Sequence, residues 1–401
     1  MKPDTLEKVV ILARHGVRAA MSSPERLEMF SAKPWPKFSV PAGHLTPRGT
    51  ELTHLLGAYY RDHYQSLGLL KEGDRQAVYY WASPTQRTIA TAKALADVLT
   101  PGASNIVHGV PEGEIDPLFE RVSKPDPALA RASILGQVGG GLAAWSRSHR
   151  DAIETLDTLL MQCETKPCPP NFDKGKRRIG DEALSLTGDA LPQLTGPEAL
   201  ASGITESLLM AWADGQDFEK LGWRGLKEDV LMRVFSLHQA EMDLRLRAPY
   251  LAQFTSSHLA TRILATLEEG TGRSSRYAPL GGAERMVVIV GHDGTIVMLA
   301  GLLGIHWVTP GYQPDEVGPG GALIFERWRR GADGRQVIRL RYSGQTLTQL
   351  RESQRLTAQN PLASSPIFIP GGSEGEPYFD CALERFETLV NGLIDPAAAG
   401  R

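Results

Sequence analysis

Six side chains suited to phosphate binding or proton transfer occur in three short clusters that are far apart in the chain. They are Arg14, His15 and Arg18 in "RHGVR", Arg87 in "SPTQRT", and His292 with Asp293 in "GHDGT". An arginine guanidinium can hold two phosphate oxygens and stays charged at any working pH. A histidine can attack phosphorus, and a carboxylic acid can protonate the leaving oxygen. This set of residue types predicts an anion site that carries out phosphoryl chemistry.

The charges around His15 favour its neutral form. Arginines on both sides are expected to lower its pKa, which leaves the imidazole free for nucleophilic attack. The same arginines would neutralise the phosphoryl group and so reduce the repulsion that the attack meets. Asp293 is the carboxyl available as proton donor. No cluster has the spacing of metal ligands, so we expect neither a metal nor another cofactor.

Each cluster follows a stretch that is typical of a buried strand. The three stretches are "KVVILA" (8–13), "AVYYWAS" (77–83) and "RMVVIVG" (285–291). They are short, nearly all apolar and rich in β-branched or aromatic residues, which indicates strands of a parallel sheet covered on both faces. The clusters would then meet at the carboxyl edge of the sheet, where ligands bind in open α/β folds. Helices that begin near Arg87 and Gly294 would direct backbone N–H groups to the same place.

The remaining pattern predicts an α/β fold with a mostly parallel central sheet flanked by helices. Segments 46–70 and 83–102 have helical spacing and start signals, and the alternation in 320–330 and 337–344 favours an antiparallel hairpin at the sheet edge. From Pro125 to Ala248 the pattern is amphipathic helix with no convincing strand. We therefore expect a smaller all-helical cap domain inserted into the fold. The predicted boundaries are 1–124 for the first part of the catalytic core, 125–248 for the cap and 249–401 for the second part.

The composition limits the kinds of partner. The chain has 401 residues, 42% of them hydrophobic, and a formal net charge of −3. There is no overall positive charge to attract nucleic acid or an anionic membrane, and no stretch is apolar for long enough to span a bilayer. A small-molecule phosphomonoester is the expected partner, and the oligomeric state stays open.

The cysteines bear on the cellular compartment. Cys163 and Cys168 lie close together in "MQCETKPCPPN", and Cys381 stands alone. The close pair either closes a small disulfide loop, which favours an oxidising compartment, or is two free thiols. Because "MKPDTLEKVV" has no apolar signal region, the protein is either cytoplasmic or has lost a signal peptide. The cysteine pair favours the second alternative, with a periplasmic or secreted protein.

The motifs resemble those of a known family. "RHGVRAA" is similar to the Arg-His-Gly-x-Arg-x-Pro signature of the histidine acid phosphatases, branch 2 of the histidine phosphatase superfamily. "GHDGT" resembles their His-Asp motif, and "QRT" their third phosphate-binding arginine. "GHLTPRGTEL", "DPLFE" and "SLHQAEMD" are similar to segments of the bacterial phytase and glucose-1-phosphatase group. The resemblance spans most of the chain, and the motifs follow the expected order.

The resemblance implies an acid phosphatase that works through a covalent phosphohistidine at His15. Its phosphate would be bound by four residues and its leaving alcohol protonated by Asp293. The four are Arg14, Arg18, Arg87 and His292. Ala20 replaces the family proline, and Gly294-Thr295 replaces a polar pair common in bacterial phytases. These departures concern the substrate, which could be phytate, a sugar phosphate or a broad range of small esters.

Other interpretations stay open at this point. The chain could be a phosphotransferase similar to phosphoglycerate mutase, although Arg18 and the His-Asp pair argue against it. It could also be a phosphate-binding protein without activity, which the full set of catalytic residue types disfavours. The segment from Met21 to Met29 either shapes the substrate mouth or is a surface loop, and His238 is expected in the core.

Overall fold

The computed structural model describes residues 2–74, 76–103, 106–120, 124–169, 175–188 and 191–399. Its strands are β1 (Thr5–Arg14), β2 (Val78–Ala82), β3 (Val107–His108), β4 (Ser185–Thr187), β5 (Gln193–Thr195), β6 (Met286–Gly291), β7 (Ala322–Arg329), β8 (Gln336–Gly344), β9 (Ala363–Pro366) and β10 (Cys381–Ala382). Its helices are α1 (Pro24–Glu28), α2 (Pro47–Ser66), α3 (Gln86–Leu99), α4 (Pro127–Gln137), α5 (Leu142–Ser148), α6 (Arg150–Met161), α7 (Pro197–Ala213), α8 (Glu228–Leu246), α9 (Pro249–Glu268), α10 (Asp293–Leu303), α11 (Leu347–Glu352) and α12 (Leu383–Leu393).

A central eight-stranded sheet carries the fold. Its strands run in the order β10-β8-β7-β1-β6-β2-β3, and β9 pairs with β8. The strands β1, β6, β2 and β3 are parallel. The strands β7 to β10 add an antiparallel part beside β1. The predicted α/β class is confirmed, with a mixed sheet whose parallel part holds the three strands found from the sequence.

The alternation of side chains along β1 packs helices against both faces of the sheet. Val10 and Leu12 lie in a core shared with α9, α10 and α12. Val9 and Ile11 point to the other face, into a core shared with α2 and α3. Because both faces are covered, these strands have no polar face, which explains their continuous apolar sequence. Within the described ranges, no helix combines the length and apolarity needed to cross a membrane.

The register of the parallel strands brings their carboxyl ends together. Arg14 at the end of β1 pairs with Gly291 at the end of β6, and Ala82 at the end of β2 pairs with Val290. The residues that follow these positions therefore start from the same edge of the sheet. This alignment, which the sequence predicted, is what collects the three polar clusters.

The hairpin of β7 and β8 is antiparallel as predicted, but its predicted position at the sheet edge is wrong. β7 pairs with β1 over Thr5 to Ala13, so it lies inside the sheet. β8 is also covered, since β9 and β10 both pair with it. The alternating pattern showed the hairpin itself, whereas the later short strands that flank it have too few residues to give a pattern.

The segment between α6 and α7 corrects a second expectation. We predicted no strand between 125 and 248, but β4 and β5 form a two-stranded antiparallel sheet there. Each has three residues, and one buried leucine per strand (Leu186 and Leu194) provides its packing. Cys163 and Cys168 form a disulfide with a Cα–Cα distance of 5.6 Å, so of the two alternatives the structure has the bonded pair. Cys381 is a buried free thiol.

Candidate active site

The end of β1 places Arg14 and His15 inside the molecule. Arg14 is fully buried and His15 is 2% exposed. The backbone N–H of Arg14 donates to the carbonyl of Gly321 at 2.9 Å, and that of His15 donates to Gly291 at 3.0 Å. The Arg14 Nη1 donates to the carbonyl of Val317 at 2.6 Å. Contacts from two other segments thus fix both residues at the strand tip.

The hydrogen bond of His15 defines which ring nitrogen is free. Its Nδ1 lies 2.8 Å from the carbonyl oxygen of Gly16, which can only accept, so Nδ1 carries the proton. Nε2 then has an unshared electron pair. Burial, followed by the charges of Arg14 and Arg18, lowers the pKa of His15 well below its ordinary value. His15 is therefore a neutral imidazole with one basic nitrogen.

A second histidine stands across the site. The rings of His15 and His292 are 5.6 Å apart in an edge-to-face arrangement. Arg87 Nη2 lies 3.3 Å from Nδ1 of His292 and, as a guanidinium, donates, while Nε2 of His292 lies 3.1 Å from the hydroxyl of Ser83. Burial, with the neighbouring Arg87, lowers the pKa of His292 to about 4. His292 thus presents its Nε2–H side near Ser83 and accepts from Arg87.

Asp293 begins α10 and pairs with the arginine of β1. Its Oδ2 lies 2.9 Å from Arg14 Nη2, and its Oδ1 accepts the N–H of Gly294 at 2.7 Å. Burial alone would favour the neutral acid, but Arg14 and then His238 hold the pKa of Asp293 well below its usual range. In the unliganded site Asp293 is therefore ionised.

Glu206 on α7 is a site residue that the sequence analysis missed. Its carboxylate accepts from Arg14 Nη2 and lies 3.1 Å from Arg18 Nη2. Burial raises the pKa of Glu206, but the charges of the two arginines keep it below its ordinary value, and Arg18 has a larger effect than Arg14. The available signal was a charged residue in the nearly apolar "GITESLLMAW", because a buried carboxylate needs a partner.

His238 on α8 also belongs to the site rather than only to the core. Its Nε2 lies 3.8 Å from Asp293 Oδ2, and its Nδ1 is 2.9 Å from the hydroxyl of Ser202. Burial lowers its pKa, but the carboxylates of Asp293 and Glu206 outweigh this and raise it above the ordinary value. Ligand atoms of Glu206, His238 and Asp293 all lie within 4.8 Å of one another. Because Arg14 and Arg18 already pair with these carboxylates, a cation there would meet positive charge.

The arginines retain donors that no protein group uses. Among the described residues, the buried Nε atoms of Arg14, Arg18 and Arg87 have no hydrogen-bond partner. An unpaired buried donor is costly, and guanidinium N–H groups match the oxygens of a tetrahedral anion. The arginines, the basic nitrogen of His15 and the helix N-termini at Gln86 and Asp293 together make an arrangement suited to a tetrahedral anion.

The segment after Arg18 borders this site. Met21 is 56% exposed. A Cβ atom at Gly43 would lie 2.8 Å from Met21 Sδ and 3.7 Å from Arg87 Nη1, so the thioether and that guanidinium both lie close to Gly43. Gly43 itself has a φ of +74°, which glycine adopts without strain.

A cavity of about 810 Å³ opens next to the same segment. Its walls include Ser22, Leu27 and Phe30 from the segment, and Gly203 and Ile204 from α7. Gly203 is one helical turn before Glu206 on α7, but none of the six predicted site residues lines this cavity. Of the two interpretations of residues 21–29, the substrate mouth is supported only at Met21, which lies near Gly43 as Arg87 does.

All six residues singled out from the sequence meet in this site. Arg14, His15 and Arg18 come from the end of β1 and the turn that follows it, Arg87 from the first turn of α3, and His292 with Asp293 from the start of α10. Sequence reasoning did not find Glu206 and assigned His238 to the core.

This fold and site define a class of protein. The model of the histidine phosphatase superfamily (branch 2) matches residues 5–343, and the chain belongs to this family. The predicted resemblance is confirmed.

Within this family, the chain is similar to individual bacterial phosphatases. The chain is 33% identical to phytase AppA of Escherichia coli K12, over 98% of this chain and 93% of the relative. It is 26% identical to the glucose-1-phosphatase of Salmonella typhimurium, over 96% and 92% of the two chains. The structure of Hafnia alvei phytase in complex with myo-inositol hexakis sulphate superposes with a TM-score of 0.88 at 32% identity, covering 99% of both chains.

Proposed function

We propose that the chain hydrolyses phosphomonoesters through a covalent phosphohistidine at His15. The observation that carries this proposal is the position of His15. Its Nδ1 lies 2.8 Å from the carbonyl oxygen of Gly16 and its ring is buried between arginines, so Nε2 is the nitrogen that can attack. Burial and the neighbouring arginines lower the pKa of His15, which favours the neutral imidazole that attack requires.

In the first step Nε2 of His15 attacks phosphorus. The N–P bond forms as the P–O bond to the alcohol breaks, and the arginines hold the phosphoryl oxygens. In this proposal Arg14, Arg18, Arg87 and His292 bind the phosphoryl oxygens. The positive charge that they supply is of the kind that a metal provides elsewhere, so we propose a reaction without metal or other cofactor.

Asp293 protonates the leaving alcohol in this proposal. It is ionised in the free site because Arg14 and His238 stabilise its charge. A bound phosphoryl group brings negative charge to Arg14, which raises the pKa of Asp293 and lets it take up a proton. Acid pH favours this form. Water then attacks the phosphohistidine, Asp293 takes its proton back, and inorganic phosphate and free His15 result.

The test is phosphate release from p-nitrophenyl phosphate, phytate and glucose 1-phosphate across a pH series with a chelator present. We expect release that the chelator does not reduce, and a drop of roughly 10⁴-fold or more for His15→Ala. His54→Ala is the matched control because its side chain is 41% exposed and lies on α2, outside the site. Absence of release from every ester overturns the proposal, and loss of release on chelation overturns its metal-free part.

The relatives are named for two different esters, and the substrate of this chain is chosen by the groups around the leaving alcohol. Phytate and glucose 1-phosphate are both candidates, and their relative kcat/KM decides between them.

The Cys163–Cys168 disulfide supports an oxidising compartment, and we propose a periplasmic or secreted protein. We also propose that 125–248 is a cap domain on a core made of 1–124 and 249–401, since α7 and α8 from this segment carry Glu206 and His238 into the site.

A further inference from the structure

A buried carboxyl group lies behind the phosphate-binding arginine, on the loop between α10 and β7. Glu316 is 1% exposed. Its Oε2 accepts the backbone N–H of Gln313 at 2.8 Å, and its own carbonyl accepts Trp307 Nε1 at 3.0 Å. Among the described residues, its Oε1 is buried with no hydrogen-bond partner. A carboxylate with one oxygen unsatisfied in the interior is expensive, so this environment favours the neutral acid.

The segment that carries Glu316 holds the start of the site. The next residue, Val317, accepts Arg14 Nη1 at 2.6 Å. Gly320 N–H donates to the carbonyl of His15 at 3.1 Å, and Gly321 accepts the N–H of Arg14 at 2.9 Å. The loop therefore contacts Arg14 and His15 at three points. A change of charge at Glu316 would therefore act next to the residue that holds the Arg14 guanidinium.

Four titratable or charged groups act on Glu316 or respond to its charge. Beside the hydrogen bond from the Gln313 backbone, His238 on α8 and then Arg14 on β1 favour its ionised form. Tyr312 on the same loop and Tyr342 on β8 have pKa values raised by burial, with Glu316 contributing, so both stay neutral. Burial outweighs the two cations and raises the pKa of Glu316 to about 7.

We propose that Glu316 is a positioning residue that acts through Arg14. When Glu316 is neutral, in acid, the positive charge of Arg14 is available to the bound anion. When Glu316 is ionised, near neutral pH, it attracts the Arg14 guanidinium and weakens anion binding. This inference rests on the proposed role of Arg14 as a phosphate ligand. It adds a second limit on anion binding on the alkaline side, beside the one that proton uptake by Asp293 supplies. Arg14, which already pairs with Glu206 and Asp293, would then also interact electrostatically with an ionised Glu316.

The test is equilibrium binding of inorganic sulfate to the full-length protein by calorimetry from about pH 5 to about pH 8. Sulfate keeps its charge over this range, so a change in Kd reports titration of the protein. We expect the Kd of the unmodified protein to rise with pH about tenfold more than that of Glu316→Gln, which stays neutral throughout. The other titratable groups are present in both proteins, so the difference between the two pH dependences reports Glu316 together with its electrostatic interaction with His238.

Glu268→Gln is the matched control. Glu268 is also a buried carboxyl whose pKa burial raises, but it ends α9, about 30 Å along the helix from Pro249. We expect this variant to keep the pH dependence of the unmodified protein. Glu316→Asn provides a second neutral side chain if the glutamine variant does not fold.

Two results would overturn the inference. One is a Glu316→Gln protein whose sulfate Kd changes with pH as much as that of the unmodified protein. The other is an equal loss of affinity at every pH, which marks a purely structural role. Because binding requires no turnover, a failure of the hydrolysis assay is a separate outcome and leaves this test intact.

Discussion

At the scale of single residues, the site is a balance of buried opposite charges. Arg14 and Arg18 face the carboxylates of Glu206 and Asp293, and these contacts occupy the Nη2 atoms of both arginines before any ligand binds. Among the described residues, the buried Nε donors of the two arginines still have no partner. A phosphoryl group has to compete with these carboxylates. The chemistry of each carboxylate can therefore be separated by exchanging it for its amide.

Asp293→Asn tests the proton donor. The amide keeps the hydrogen-bonding shape but carries no transferable acid proton, so esters with poor leaving groups suffer most. We expect turnover of glucose 1-phosphate to fall by roughly 10² to 10⁴-fold and turnover of p-nitrophenyl phosphate to fall much less. The measurement is kcat for a series of esters against the pKa of the leaving alcohol. An equal loss for good and poor leaving groups would show that Asp293 is not the donor.

Glu206→Gln tests the competition for the arginines. Without its charge, Arg14 and Arg18 are free to pair with an anion, so we expect the inhibition constant of inorganic phosphate to fall about tenfold. Competitive inhibition of p-nitrophenyl phosphate hydrolysis measures it. Glu198→Gln is the control, since Glu198 is a buried carboxyl on the same helix that lies near His149 instead. Weaker phosphate binding in Glu206→Gln would contradict the prediction.

At the scale of elements, strand ends and helix starts bring distant residues together. The predicted substrate mouth, residues 21–29, begins with the uncharged Met21, whereas the site itself is lined by arginines. Met21 and Arg87 both lie close to Gly43, and a Cβ at Gly294 would lie 3.2 Å from Leu246 Cδ1, so apolar atoms border the proposed phosphate pocket on two sides. Because Met21 and Leu246 are uncharged, neither side chain can pair with further phosphates on a leaving group.

Met21→Lys is expected to favour multiply phosphorylated substrates. An ammonium group at this position attracts additional phosphates, so we expect kcat/KM for phytate relative to p-nitrophenyl phosphate to rise about tenfold. Leu67→Lys adds the same charge at the other end of α2, roughly 30 Å from its start near Leu45, and should leave the ratio unchanged. An unchanged ratio in Met21→Lys, measured at low salt, would contradict this account of the mouth.

The elements also show how much could be predicted from the sequence. The three buried strands and the helices after Thr46 and Pro84 have strong local patterns, and the residues at their ends came together as expected. The position of β7 inside the sheet could not be predicted, because it depends on pairing with β1 more than 300 residues away. The place of Glu206 and His238 in the site could not be predicted for the same reason. Both lie within helices, and only the packing of α7 and α8 brings them to Arg14 and Asp293.

At the scale of the whole molecule, stability depends on pH because folding raises the pKa of some buried groups and lowers the pKa of others. Glu316 has an ordinary pKa of 4.5 and a folded pKa of about 7. Between these values the folded chain holds a proton that the unfolded chain has lost, so the free energy of unfolding falls as pH rises. His292 has the opposite sign: its pKa falls from 6.5 to about 4, so its contribution rises with pH over that window.

Glu316→Gln isolates the first of these contributions. The variant has no proton to lose, so relative to the unmodified protein we expect it to gain about 3 kcal/mol of unfolding free energy from about pH 4.5 to about pH 7. Urea denaturation followed by tryptophan fluorescence at several pH values measures the difference. His292→Asn is the control of opposite sign, because it removes a contribution that grows with pH and should lose stability relative to the unmodified protein over about pH 4 to 6.5. A Glu316→Gln difference that is constant across pH would mean that Glu316 is already ionised in the folded acid form, and the charge that Arg14 offers to a phosphate would then not depend on it.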